Sequence, residues 1–183
     1  MIFTEFKVIR TDNLLLRKII IDDAKDMFEI FSDNEVLKHY DLLPHKTVSE
    51  TVEFIKFQEE WYENRKGIRW GIIKKDENKL IGTCGFHHFD EEFKRAEIGY
   101  ELNKNYWNKG FMKEALKEIL KVGFSFMNLN RIEGIVDNEN EVSKIILIKL
   151  GFKFEGCLRE RFYFNGEFRD ENHYGLLKSE WTK

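Results

Sequence analysis

Apolar and polar positions along this chain change their period several times, and each change predicts an element. Glu97, Gly99 and Glu101 alternate with Ile98, Tyr100 and Leu102. That period of two predicts a half-buried strand over residues 96–102. From Gly110 onward the period lengthens, and Met112, Ala115, Leu116, Ile119 and Gly123 fall on one face of a helix. Earlier in the chain, residues 14–19 read as a strand. Asp22 reads as the N-cap of a helix that buries Ala24, Met27, Phe28 and Phe31. Residues 32–46 are mostly polar, hold the only proline, Pro44, and predict a loop. Thr47-Val48-Ser49-Glu50 has the form of a capping box. It opens a helix bearing Val48, Val52, Ile55 and Tyr62 that ends near Gly67. Residues 68–74 and 80–89 form a hairpin about Asp76-Glu77-Asn78. A strand over 131–136 precedes a helix over 141–150, with Val142, Ile145, Ile146 and Leu150 inward and Gly151 as its C-cap. Strands over 152–164 and 168–177 close the chain through an Asn165-Gly166 turn.

Strands and helices mix here without strict alternation, which predicts an α+β (mixed α/β) fold. With 183 residues the chain is expected to form a single domain over residues 1–183 with a proper core. One proline and 12 glycines leave little composition for linkers. The net charge of −3 gives no bulk reason to bind nucleic acid or an anionic membrane. No apolar run approaches the roughly 20 residues of a spanning helix, and no basic-then-apolar leader is visible. Cys84 and Cys157 each sit in an apolar strand-like run, which predicts buried free thiols, a reducing compartment and a cytoplasmic protein. Neither G-x-G-x-x-G nor G-x-x-x-x-G-K-[ST] occurs, so a dinucleotide fold and a P-loop are unsupported.

The turn Asn108-Lys109-Gly110-Phe111-Met112 joins the 96–102 strand to the following helix. The first amides of a helix lack backbone partners, and with the positive end of the helix dipole they form an anion site. Gly110 permits close approach to the backbone, and Lys109 and Lys113 add positive charge. On these grounds alone the turn is either a phosphate site or an ordinary strand–helix connection.

W-N-K-G-F-M at 107–112 resembles the acetyl-CoA pyrophosphate loop of the GCN5-related N-acetyltransferase (GNAT) superfamily, in particular its ribosomal-protein N-acetyltransferase branch. A-E-I-G-Y before it, E-A-L after it, T-D-N-L-L-L-R near the start, L-I-G-T-C-G-F-H, and the long tail from V-D-N-E-N-E-V-S to F-N-G-E-F-R-D also resemble that branch. The likeness spans roughly Thr11 to Trp181. Trp107, Asn108 and Met112 depart from the usual loop residues. The resemblance implies one twisted mixed sheet flanked by about four helices. In it the 96–102 and 131–136 strands splay into a wedge for pantetheine, and the amine arrives from the other side. It implies acetyl-CoA as cosubstrate, without a metal, in a monomer or homodimer. Cofactor contacts would come from Tyr100, Leu102, Trp107, Asn108, Lys109, Gly110, Phe111, Met112 and Asn140.

Acetyl transfer from a thioester to an amine requires deprotonation of the ammonium, stabilisation of the developing oxyanion and a partner for the leaving thiolate. By the resemblance Glu97 is the base. Read as a plain strand residue, it is a solvated carboxylate or a partner of Arg95. Glu101, on the same strand face, is a second carboxylate. The oxyanion donor would be a backbone N–H of this strand. Many relatives carry a tyrosine at the position of Leu147 to serve the thiolate, and Ser143 matches a serine that serves it in the ribosomal-protein branch. Ser143 also reads as a helix-start residue, and Asn140 as an N-cap.

His87 and His88 are neighbours on a strand and should face opposite ways. No Cys/His spacing around them fits zinc, so no metal is expected, though either could line the acceptor pocket. Cys84 reads as inert, and Phe162-Tyr163-Phe164 as core. The implied acceptor is a primary amine: the N-terminal α-amine of a ribosomal or other protein, a polyamine, or an antibiotic. The acidic residues Asp22, Asp23, Asp26, Asp33 and Glu35 would suit a polycation. A catalytically silent CoA-binding module is the reading of another class.

Overall fold

The computed structural model describes residues 5–181. Strands β1 (Ile9–Arg10) and β2 (Leu14–Lys18) lead into α1 (Ala24–Phe31) and α2 (Val48–Glu63). The hairpin β3 (Gly67–Lys74) and β4 (Lys79–Asp90) follows, then β5 (Arg95–Leu102) and α3 (Phe111–Ser125). β6 (Arg131–Asp137), α4 (Glu141–Lys149), β7 (Lys153–Phe164) and β8 (Glu167–Leu177) complete the chain. The strands form one mixed sheet in the order β1-β2-β3-β4-β5-β6-β8-β7, antiparallel everywhere except at β5–β6. The mixed α/β architecture with four helices agrees with the pattern-based expectation.

Alternation along the strands divides the core between two faces. Trp70, Ile72, Ile81, Phe86, Ile98 and Ile132 pack with α3 and with Leu147 of α4. On the other face Ile73 and Leu80 meet Met27, Ile30 and Phe31 of α1 and Ile55 of α2. The period-3.6 stripe expected of α3 is buried from Met112 through Gly123. Asn165 and Gly166 both have positive φ (51° and 90°), the geometry of a tight hairpin turn. Gly151 at φ +95° ends α4, where the Phe152 amide donates to the Leu147 carbonyl at 3.0 Å.

Several local expectations are corrected. Asp22 lies inside a 3-10 turn over Ile21–Asp23. Its neighbour Asp23 accepts from the Ile20 amide at 2.9 Å and pairs with Arg17 at 2.7 Å. Phe28 is only half-buried and Ile30 takes its place inward. Val48 is exposed, and Thr51 is buried instead, bonded to the His45 imidazole at 2.9 Å. The 32–46 loop is less solvated than its polarity implies, since Val36 and Leu37 are buried.

The expected α4 stripe holds at Leu150, which is buried, and at Ile146, which packs against the core, and fails at Val142 and Ile145. Val142 is 65% exposed and Ile145 49%, while Leu147 is fully buried. Gly134 of β6 is the reason: a Cβ there would lie 2.7 Å from Leu147 Cδ1, so the missing side chain is the seat of that leucine. The inward face of α4 is therefore Ser143, Ile146, Leu147 and Leu150, at i, i+3, i+4 and i+7. A polar residue at its first position hides it from an apolar-pattern reading. β7 is the sheet edge, so Cys157 is exposed, as is Tyr163, and neither is core. No helix of the described residues is long and apolar enough to cross a membrane.

Candidate active site

β5 and β6 pair only at Arg95↔Arg131, Ala96↔Ile132 and Glu97↔Glu133. Beyond Glu97, β5 stays on β4 as far as Leu102, and β6 stays on β8 as far as Asp137. Each strand follows its outer neighbour, so the two separate into a wedge. The Asn103 amide donates to Ile81 of β4 at 2.8 Å. By alternation, the backbone groups of Tyr100 and Leu102 then face the wedge. Their carbonyls show this: Tyr100 accepts from the Tyr40 hydroxyl, and Leu102 from Trp107 Nε1 at 2.8 Å. The amides on that side of β5 are suitably placed to meet a thioester oxygen.

At the wide end of the wedge the chain turns through Asn108 (φ +61°) and Gly110 (φ +84°) into α3. The left-handed backbone favours glycine at 110, and a Cβ there would meet nothing within 4 Å, so the turn opens outward. The amides of Phe111 and Met112 belong to the first turn of a 15-residue helix and point out of its N-terminus. The Met112 side chain is core, so only its backbone is open to a ligand at this turn. Lys109 turns away: its ammonium donates to the Asn105 carbonyl at 2.9 Å and lies 5.4 Å over the Tyr106 ring. Trp107 braces the end of β5 through the hydrogen bond to Leu102.

Glu97 lies on the α1/α2 face of β5. Arg95 is not its partner, since that guanidinium approaches Glu133 (3.4 Å) and Asp90 (3.5 Å). The Glu97 carboxylate instead lies 3.0 Å from His88 Nδ1 and 3.6 Å from His87 Nε2. The two histidines were expected on opposite faces. The β4–β5 register jumps between His87↔Glu97 and Asp90↔Arg95, and His88 takes φ +48° in that bulge, which swings both rings to the same carboxylate. Glu101 is different. It is buried, paired with the Arg69 guanidinium, and accepts from Thr83 Oγ1 at 2.6 Å. Arg69 Nε also donates to Thr83 at 2.8 Å. Both contacts to Glu101 fall on its Oε2, so that oxygen is held by Arg69 and Thr83.

On the α3/α4 face, Ser143 Oγ lies 2.6 Å from the Tyr100 hydroxyl. Burial pushes the Tyr100 phenol up to about 12, against a smaller downward pull from Ser143, so it stays protonated at neutral pH. Capping of α4 falls to Asn140, whose side chain accepts from the Ser143 amide at 3.0 Å. The Ser143 hydroxyl is therefore not spent on the helix start. Sequence reasoning placed Tyr100 on the strand and, by the resemblance, among the cofactor contacts, but not as the partner of Ser143. The hydroxyl pairing across 43 positions has no local signal, and neither does the bracing by Tyr40.

Cys84 is fully buried, and burial raises its thiol far above the ordinary range, so it is inert as a nucleophile. The acidic residues near α1 are largely matched. Asp23 pairs with Arg17, Asp26 accepts from the Leu80 amide at 3.0 Å, and Lys104 sits 2.8 Å from Asp33 and 3.7 Å from Glu35.

A splayed sheet pair, an open glycine turn at a helix N-terminus beside it, and ionisable groups on both faces of the dividing strand together define an acyltransferase that works on a CoA thioester. The chain belongs to the GNAT acetyltransferases: residues 13–153 match the acetyltransferase (GNAT) domain. It is 39% identical over 173 residues to the uncharacterized N-acetyltransferase YoaA of Bacillus subtilis, covering 94% of this chain and 98% of that protein. The crystal structure of a GNAT-family acetyltransferase from Bacillus anthracis superposes with a TM-score of 0.84 at 30% identity, over 95% of this chain and all of that one. The [ribosomal protein uS5]-alanine N-acetyltransferase of Escherichia coli is 24% identical over 181 residues, covering 94% and 91%. The protein is an N-acetyltransferase by family, and the family uses acetyl-CoA. The outward-opening turn at Gly110 and the wedge beyond Glu97 fit that cosubstrate.

Proposed function

We propose that this enzyme transfers the acetyl group of acetyl-CoA directly to the N-terminal α-amine of a protein, within a ternary complex. The observation that carries the reading is the division of labour across β5. Glu97 lies on the face of the two N-terminal helices, and the Tyr100–Ser143 pair on the face of α3 and α4, where the strands part. The amine meets Glu97 from one side and gives up its proton there, directly or through a water. Its nitrogen forms the bond to the thioester carbon while β5 amides hold the oxygen. The carbon–sulfur bond then breaks towards Ser143, which donates to the thiolate with Tyr100 behind it. Phosphates sit on the α3 N-terminus through the amides after Gly110.

A protein amine is favoured over a polyamine because Asp23, Asp26 and Asp33, three of the acidic residues that would hold a polycation, already have partners. The E. coli relative that acts on the alanine of uS5 supports the same class. The deciding experiment supplies acetyl-CoA with a panel of N-terminal peptides, spermidine and aminoglycosides, and follows acetylated product by mass. Peptide turnover that falls about 10²–10⁴-fold in Glu97→Gln is expected. Preference for spermidine would replace the acceptor class, and no product with any amine would make the chain a silent CoA-binding module.

A further inference from the structure

We propose that His87, His88 and Glu97 form a binding site for a zinc-class divalent metal, and that filling it switches the enzyme off. Each of the three residues offers a ligand atom within 4.8 Å of the others, and one Glu97 oxygen faces both His87 Nε2 and His88 Nδ1. Zinc bound to nitrogen and oxygen at about 2.0–2.1 Å in a tetrahedral shell sets its ligands about 3.3 Å apart. The carboxylate-to-imidazole separations of 3.0 and 3.6 Å bracket that value. Three protein ligands leave a fourth position for water. Two imidazoles with one carboxylate suit zinc, nickel or copper better than magnesium or calcium, which take oxygen ligands.

The backbone argues in the same direction. Adjacent strand residues ordinarily diverge. Here the β4 bulge and the +48° φ of His88 bring both rings to one carboxylate, 4.7 Å apart between centroids. The neighbouring positive charge is already matched: Arg69, beside Gly99 and the His87 ring, is paired with Glu101. His88 is 64% exposed at its side chain, so a metal has an open entry from solvent.

Binding stands on this geometry alone. Its inhibitory effect rests on Glu97 as the base, because a carboxylate bound to a dication is a much weaker acceptor for the ammonium proton. The test uses chelator-stripped full-length protein carrying Cys157→Ser, to silence the exposed thiol. Cobalt(II) chloride is titrated by visible absorption and zinc chloride by calorimetry. Acetylated product is followed by mass with and without zinc. One equivalent of metal is expected to bind, with affinity reduced about tenfold or more by His88→Ala, by His87→Ala and by Glu97→Gln. The stripped protein should turn over, and zinc should stop it with the same midpoint as binding. His88→Ala is the cleaner variant because its ring is exposed, and an unchanged melt with acetyl-CoA certifies its fold. Absence of binding, or affinity unaltered in folded His88→Ala, overturns the site. Metal bound at one equivalent with turnover untouched overturns the inhibition and Glu97 as the base, while the metal site stands.

Discussion

Ser143 and Glu97 each carry two readings, and contacts beyond their own elements separate them. Asn140 holds the Ser143 amide, so loss of the Ser143 hydroxyl should leave the cap intact. Ser143→Ala is expected to cost a hydrogen bond to a charged leaving group, about 1.5–3 kcal/mol, or roughly ten- to a hundred-and-fifty-fold in turnover, with the melt unchanged. Asn140→Ala should do the reverse, losing about 1 kcal/mol of stability. A Ser143→Ala variant that melts early yet turns over normally would make Ser143 a helix-start residue. Glu101 is expected not to replace Glu97 as the base, because its carboxylate is buried against Arg69 and Thr83. Breaking such a pair typically destabilises by about 3–5 kcal/mol. Glu101→Gln should therefore lose activity only together with stability, as urea titration would show. Full stability with lost turnover would return Glu101 to the chemistry.

Among the elements, α4 decides the most. Its first turn brings Ser143 under Tyr100, and its second plants Leu147 on Gly134. Restoring the tyrosine that many family members carry at position 147 would not supply a proton donor here. The ring would have to enter a closed core, and overpacking of this kind costs about 1–3 kcal/mol. Leu147→Tyr is expected to lower the urea midpoint and leave turnover no higher than before. A stable variant with increased rate would mean that α4 can move outward to admit the ring. The exposed Val142, Ile145 and Ile148 lie on the far side of the same helix, beside the exposed edge strand β7.

For the whole molecule, the anion-binding turn and the wedge act as one site only when the cosubstrate spans both. Acetyl-CoA should bridge the α3 N-terminus and β5, and at a hundred times its dissociation constant it should stabilise the fold by about 2.7 kcal/mol. The measurement is the melting temperature with and without millimolar acetyl-CoA. Gly110→Asp adds a negative charge where phosphates would sit and should abolish the upward shift while the apo melt stays close to the parent. An undiminished shift would remove this turn from the site.

The chain's own pattern determined the order of elements, the class of the fold and the place of the glycine turn, because each depends on periods and residue types within a few positions. The same local reading failed wherever a distant partner set the outcome. Gly134 chose which face of α4 turns inward, and a polar Ser143 at the head of that face concealed it. The bulge in β4 put His87 and His88 on one side, against the alternation that a regular strand would keep. Edge position left Tyr163 and Cys157 in solvent although their neighbours are apolar. Whether Glu97 or Glu101 was available depended on Arg69, more than 25 positions away from either. Local sequence specifies backbone propensity and polarity. Exposure, pairing and the direction of a side chain at a bulge are properties of the packed sheet, and only the tertiary structure could decide them.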